Sequence, residues 1–119
     1  MIVTSDLLRG NTETIILSLL EQGDSYGYEI NKGISKLSEG NYELKEATLY
    51  CAFRRMEEAG YISSYWGNEE RGARRRYYRI TDAGIEALAN QRKDWIAARD
   101  LLDRIILKGA IDNGRTQIR

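Results

Sequence analysis

Apolar residues recur along the chain with two periods, and the change of period divides it. Leu8, Ile16, Leu19 and Leu20 fall at roughly helical spacing over residues 7–20, and Gly23 suits the position just past a helix end. Gly10 weakens the first turn of this helix. Asp24 or Ser25 then caps a second helix, in which Tyr26, Ile30, Ile34 and Leu37 recur one and two turns apart. Residues 38–43 read as a loop. The spacing next predicts a third helix from Lys45 to Ala59, with Leu49, Ala52, Phe53 and Met56 on its buried face and Gly60 at its end. Its opposite face carries Ala47, Cys51, Arg54 and Glu58, flanked by Thr48, Tyr50 and Arg55. After Gly60 the period shortens to that of strands: Tyr61–Trp66 and Arg74–Ile80 form a hairpin with a long tip. Thr81 and Asp82 offer N-caps for a last helix that meets no breaker before about Lys108, a length of roughly 40 Å at ~1.5 Å per residue.

The predicted fold class is mostly α with a small β-hairpin. Three helices followed by a two-stranded wing is the order of a winged helix-turn-helix, here assigned to residues 1–81 and followed by one long C-terminal dimerisation helix over 82–108. Residues 109–119 read as a disordered tail. The chain has 119 residues and 42% apolar content, enough for one hydrophobic core, and it contains no proline, linker or repeat that marks a second. No apolar run approaches the ~20 residues that cross a bilayer. The N-terminal stretch lacks the pattern of a secretory signal, so the expected compartment is the cytoplasm.

The 18 basic and 18 acidic residues cancel, which taken globally argues against a nucleic-acid partner. Their distribution argues the other way. Residues 1–70 hold 6 basic against 12 acidic side chains, whereas residues 71–79 hold 5 arginines and no acid. Phosphate contact depends on local charge, and this charge is local. Chemistry narrows further because the chain has no histidine and a single cysteine, Cys51. Histidine-activated nucleophiles, histidine-ligated zinc and internal disulfides are thereby excluded, and neither a metal nor a cofactor is expected. Carboxylate pairs, lysines and tyrosines remain, but no nucleophile motif accompanies them, and the chain is not read as an enzyme.

An arginine-rich hairpin by itself reads as a solvated surface. Directly after a helix with a small, basic outer face it reads instead as the flanking contact of a DNA reader. The candidate DNA-binding residues are Lys45, Ala47, Thr48, Tyr50 and Arg54 on the third helix, Tyr26 at the start of the second, and Arg71, Arg74, Arg75, Arg76 and Tyr77 on the wing. Ala47 is small enough to meet a thymine methyl and an arginine can pair with guanine. Tyr50 has a second reading, packing against the wing.

Several of these stretches keep their order and spacing over about 80 residues: Gly27-Tyr28-Glu29-Ile30, Glu46-Ala47-Thr48-Leu49-Tyr50, Arg55-Met56-Glu57, Gly60-Tyr61-Ile62, and Arg75-Arg76-Tyr77-Tyr78-Arg79-Ile80-Thr81-Asp82-Ala83-Gly84. Together they resemble the PadR family of transcriptional regulators, in its small branch with a single C-terminal helix. The resemblance implies a homodimer that represses promoters in double-stranded DNA and releases them when a small planar aromatic molecule binds.

The dimer also has support from periodicity. Leu88, Trp95, Leu102 and Ile106 fall near one face of the last helix, with Ile105 beside them, and such a stripe wants a partner. Folding of this helix onto the first helix is the other reading, and the two are compatible. A tryptophan in an apolar stripe usually belongs to a core, but the resemblance implies a ligand role for Trp95. Two symmetry-related indoles at the dimer axis would sandwich a flat ring. Leu8, Asn11 and Thr12 on the first helix and Ile96 and Arg99 on the last would lie nearby. Arg92 and Arg99 stand where a multidrug-binding member of the branch carries an aromatic and an acidic residue. That substitution favours an anionic or polar aromatic ligand, such as a phenolic acid. An alternative to the whole scheme is a winged-helix protein–protein adaptor that does not bind DNA, supported by the acidic residues 1–70. Cys51 has only Arg54 and Arg55 near it as groups that would activate a thiol for redox sensing.

Overall fold

A computed structural model describes residues 8–69 and 72–108. The tail expected over 109–119 lies outside the described residues. Helix α1 spans Thr12–Leu20, α2 Gly27–Leu37 and α3 Glu46–Glu58; strands β1 (Ile62–Trp66) and β2 (Arg76–Ile80) follow, then α4 (Asp82–Leu102) and a π-helical stretch, Asp103–Lys108. This is the helical fold with one hairpin that the residue pattern predicts. Two compact units divide the chain, Met1–Leu88 and Ala89–Arg119.

The first unit holds the core. Ile16, Leu17 and Leu20 of α1, Ile30 and Ile34 of α2, and Leu49, Ala52, Phe53 and Met56 of α3 close around one another. Leu44, Ile62, Tyr78 and Leu88 complete the cluster. Phe53 stacks on Tyr78 with ring centroids 3.9 Å apart, which fixes the hairpin to the third helix. The strands pair antiparallel, Ile62 opposite Ile80 through Trp66 opposite Arg76. Alternation then gives the hairpin one face bearing Ile62, Tyr78 and Ile80 against the core and another bearing Tyr65, Tyr77 and Arg79.

Several local expectations need correction. The first helix was expected over residues 7–20. Residue 7 lies outside the described residues, Leu8 is helical, and the helix is broken at Arg9–Gly10, where Gly10 takes a φ of +94° that no helix continues through, so that α1 begins at Thr12. Neither Asp24 nor Ser25 caps α2. Tyr26 occupies that position, while Ser25 pairs with Tyr78 as an isolated antiparallel bridge. Leu37, placed on the buried stripe of that helix, is exposed at its last turn. The strands are shorter than predicted, because Tyr61 and Arg74–Arg75 belong to the connections.

Leu88 requires the largest correction. Assigned to a dimer stripe, it is fully buried in the core of its own chain. The side chains from Arg92 to Lys108, by contrast, are all exposed, among them Trp95, Ile96, Leu101, Leu102, Ile105, Ile106 and Leu107. No helix among the described residues is long and apolar enough to cross a membrane.

Two polar ties set the entry and exit of the third helix and hairpin. The Asn31 carboxamide donates to the Leu44 carbonyl at 2.7 Å and accepts from its N–H at 2.8 Å, pinning the loop before α3 to α2. Beyond the hairpin, Thr81 caps α4 as predicted: its Oγ1 accepts from the Gly84 N–H at 3.1 Å and donates to the Gly60 carbonyl at 2.6 Å. Gly84 is buried there because α4 begins directly against the Tyr61 backbone.

Candidate nucleic-acid interface

The outward face of α3 is formed by what its core face leaves over. With Leu49, Ala52, Phe53 and Met56 buried, Ala47, Thr48, Cys51, Arg54 and Glu58 are exposed. Lys45 occupies the N-cap position and is exposed as well. Glu46 sits in the first turn, where the positive end of the helix favours a carboxylate. Tyr50 is half in contact: its ring meets Phe53 edge-on at 5.5 Å. Its hydroxyl lies so close to Gly27 that a Cβ there would come within 2.6 Å of it. Tyr50 therefore packs over the first residue of α2, and it also lines an open groove of about 710 Å³ bounded by α2, α3 and the wing.

The wing arginines are not equivalent. Arg71 lies outside the described residues. Arg76 donates to Ser64 Oγ at 2.8 and 3.1 Å and to Glu57 at 3.5 Å, so its fork is turned onto the protein. Arg79 is paired with Asp24 at 3.1 Å. Arg74 and Arg75, exposed at the base of the tip, form no ion pair among the described residues. The Arg74 guanidinium lies 5.7 Å from the Trp66 ring centre, and its Nε donates to the Gly67 carbonyl at 3.3 Å. The Arg75 guanidinium sits 4.7 Å over the Tyr26 ring. A hydrogen bond with Tyr77 and the neighbouring Tyr26 hydroxyl raise its pKa further above an already high value. Tyr77 is half-buried and meets Tyr26 edge-on at 5.4 Å. The structure thus gathers Tyr26, Tyr50, Arg74 and Arg75 around one groove, together with Tyr28 and Trp66, which the candidate set omitted. Arg76 also borders that groove, exposed, with its guanidinium shared with Ser64 and Glu57.

A clasp holds the wing in place. Asp24 accepts from the Tyr65 hydroxyl at 2.6 Å and from Arg79 at 3.2 Å. The Tyr65 hydrogen bond, and then Arg79, hold its carboxyl below the ordinary value of 3.8 despite partial burial, which acts the other way. Because the folded pKa is depressed, the clasp stabilises fully above the unfolded value and is lost as pH falls through the lower folded one. Asp24→Asn is expected to lower Tm at neutral pH, and the gap from wild type should close on acidification below about pH 4. Thermal melts at several pH values measure it; a gap that stays constant with pH would show that the charge of Asp24 does not act.

The other candidates fall in two groups. Leu8, Asn11 and Thr12 lie half-buried in the first unit, with Asn11 at the N-cap of α1. Arg92, Trp95, Ile96 and Arg99 are exposed in the second. There the Arg99 guanidinium lies 5.0 Å from the Trp95 ring centre and pairs with Asp100 at 3.2 Å. The cationic surroundings expected for Trp95 are therefore partly offset by a carboxylate. Among the described residues no group of three His, Cys, Asp or Glu is placed to hold a metal.

Three helices, a wing fixed to the third of them and a polar outer face on that helix define a winged helix-turn-helix protein. Residues 16–90 match the model of the transcriptional regulator PadR-like family. The chain belongs to that family, whose members are DNA-binding regulators of transcription. Among solved structures it is similar to a transcriptional regulator from Clostridium thermocellum, with 46% identity, a TM-score of 0.81, and 88% of this chain and 99% of that one covered. It is also similar to a PadR family transcription regulator from Clostridium difficile R20291, with 37% identity, a TM-score of 0.71, and 82% and 99% covered. An uncharacterized protein of Lysinibacillus sphaericus is 41% identical over 101 residues, which span 85% of this chain and 93% of that protein.

Proposed function

We propose that the protein is a dimeric repressor that reads promoter DNA with α3 and is released by a small aromatic effector. The carrying observation is the exposed face of α3, with Ala47, Thr48, Cys51 and Arg54, beside two exposed arginines, Arg74 and Arg75, that form no ion pair among the described residues. Lys45, Ala47, Thr48, Tyr50 and Arg54 would face the major groove, with Tyr26, Arg71, Arg74, Arg75 and Tyr77 along the flanking backbone. Residues 1–81 form the DNA-binding part, and 82–108 the helix that dimerises. The exposed side chains of Trp95, Leu102, Ile105 and Ile106, with Ile96, Leu101 and Leu107, support a second copy as the occupant of that helix. Such a repressor works where the DNA is, in the cytoplasm.

Sequencing of genomic fragments retained by the protein tests this reading. The expected outcome is enrichment of two-fold symmetric sites with half-sites about one helical turn, or a multiple of it, apart. Absence of any enriched sequence would favour the adaptor reading.

The effector site we assign to Trp95, with Arg92, Ile96 and Arg99 of the same helix, in the manner of the multidrug-binding repressor LmrR, and Leu8, Asn11 and Thr12 we assign to it as the contribution of the second copy's first helix. Ligand would bind better to a dimer whose reading helices are wrongly spaced, shifting the population away from DNA. Trp95→Ala is expected to weaken binding of flat aromatic compounds by at least roughly ten-fold, while leaving the dimer and DNA affinity intact. Calorimetry with aromatic carboxylates and sedimentation measure the two parts. Dissociation to monomers would make Trp95 a structural residue instead.

A further inference from the structure

We propose that the groove between the start of α2, Tyr50 and the wing is a second effector site, for a small planar aromatic anion that competes directly with DNA. Its volume, about 710 Å³, falls within the roughly 300–1,000 Å³ of small-molecule sites. Its walls pair two chemistries. Tyr26, Tyr50 and Trp66 supply aromatic rings, and Arg74 and Arg75 supply guanidinium groups that form no ion pair among the described residues. Arg75 lies over Tyr26 and Arg74 beside Trp66, so a flat anion would enter by extending or displacing these stacks while taking the guanidinium N–H groups. Each guanidinium carries five N–H donors in a fork suited to a carboxylate or phosphate.

A double helix satisfies only half of this. Its backbone presents phosphates and sugars, while its bases are stacked inside, so a backbone strand leaves the aromatic walls unmatched. A flat ring carrying an anionic group meets rings and arginines together. A flat cation would meet the arginines as like charges. The site requires no dimer axis and no contribution from Trp95, so it is independent of the effector site assigned above.

The competitive consequence rests on the DNA-binding reading, because Tyr50, Arg74 and Arg75 would be occupied by one partner or the other. Binding to the groove itself does not rest on it. The chain has two tryptophans, Trp66 beside this groove and Trp95 on the last helix. The full chain carrying Trp95→Ala thus has Trp66 as its only indole and has lost the ring of the other effector site, so its emission reports on the groove.

Titration with 2-naphthoate and with 1-naphthyl phosphate should quench Trp66 saturably. Arg75→Ala and, separately, Tyr50→Ala should each raise Kd at least roughly ten-fold. Inorganic phosphate and naphthylmethylammonium should leave Trp66 unchanged over the same range. On the Trp95→Ala chain, apparent affinity for retained operator DNA should fall in proportion to added naphthoate, and saturating operator should abolish the quench.

Failure of both naphthyl anions to quench saturably, or an equal response to inorganic phosphate, to the ammonium probe or in the Arg75→Ala chain, overturns the proposal. Saturable binding that leaves operator affinity untouched overturns its competitive part. If no duplex is bound at all, the DNA reading fails while the Trp66 titration still decides whether the groove holds its ligand.

Discussion

Gly84→Ala is expected to destabilise the protein by roughly 3 kcal/mol or more, a large part of the ~5–15 kcal/mol available to a domain of this kind. A Cβ at this position would lie 2.1 Å from the Tyr61 carbonyl oxygen and 2.8 Å from Ile80 Cγ1. The oxygen cannot move away freely, because it accepts from the Thr81 N–H at 3.0 Å. Thr81 in turn holds both the first turn of α4 and the Gly60 carbonyl. One methyl group must therefore separate the helix from the start of the hairpin, loosening the N-cap and the neighbouring Leu88 and Ile62 in the core. At about 4 °C per kcal/mol the expected loss in Tm is about 12 °C or more. Differential scanning calorimetry measures it, and a shift of only one or two degrees would show that the helix start can slide without cost.

The second large effect concerns DNA. The double variant Arg74→Ala/Arg75→Ala should bind operator roughly 100-fold more weakly near 0.1 M salt. The slope of log affinity against log salt should fall by about 2, one unit for each phosphate contact removed. Tm should change little, since both side chains are exposed and neither forms an ion pair among the described residues. Arg76→Ala should show the reverse pattern. Its guanidinium is engaged by Ser64 and Glu57, so its loss should lower Tm by weakening the hairpin while leaving the salt slope nearly unchanged. Fluorescence anisotropy over a salt series, alongside melts, separates the two behaviours. Equal salt slopes for the double variant and wild type would exclude Arg74 and Arg75 from the phosphate contacts.

That division among neighbouring arginines shows where sequence reasoning stops. Helical spacing was sufficient to place Leu49, Ala52, Phe53 and Met56 inside and Ala47, Thr48, Cys51 and Arg54 outside, because each helix needs only its own periodicity to decide a face. The clustering of arginines was visible for the same reason. Their partners were not, because Glu57 and Asp24 lie 19 and 55 residues from Arg76 and Arg79 in the chain. Alternation within β2 gives Arg76 and Arg79 opposite faces of the hairpin, but only the fold brings a carboxylate to each. Leu88 failed as an interface residue on similar grounds. A heptad-like spacing continues through it, yet the residue's depth is set by how closely Gly84 lets α4 approach Tyr61. Tyr28 and Trp66 were missed because each is flanked by residues of stronger local meaning. Their common signal, membership with Tyr26, Tyr50 and Tyr78 in one aromatic lining, appears only after folding.

Ser25 has a consequence for solubility. Its N–H and carbonyl exchange both backbone hydrogen bonds with Tyr78, at 3.1 and 2.7 Å, next to the middle of β2. A two-stranded hairpin otherwise offers unpaired N–H and C=O groups along both margins, and such margins recruit strands from other molecules. Here the polypeptide caps one margin with a single residue of its own. The wing can stand open to solvent without templating aggregation, and a Ser25→Pro chain, unable to donate that bond, would be the one to precipitate.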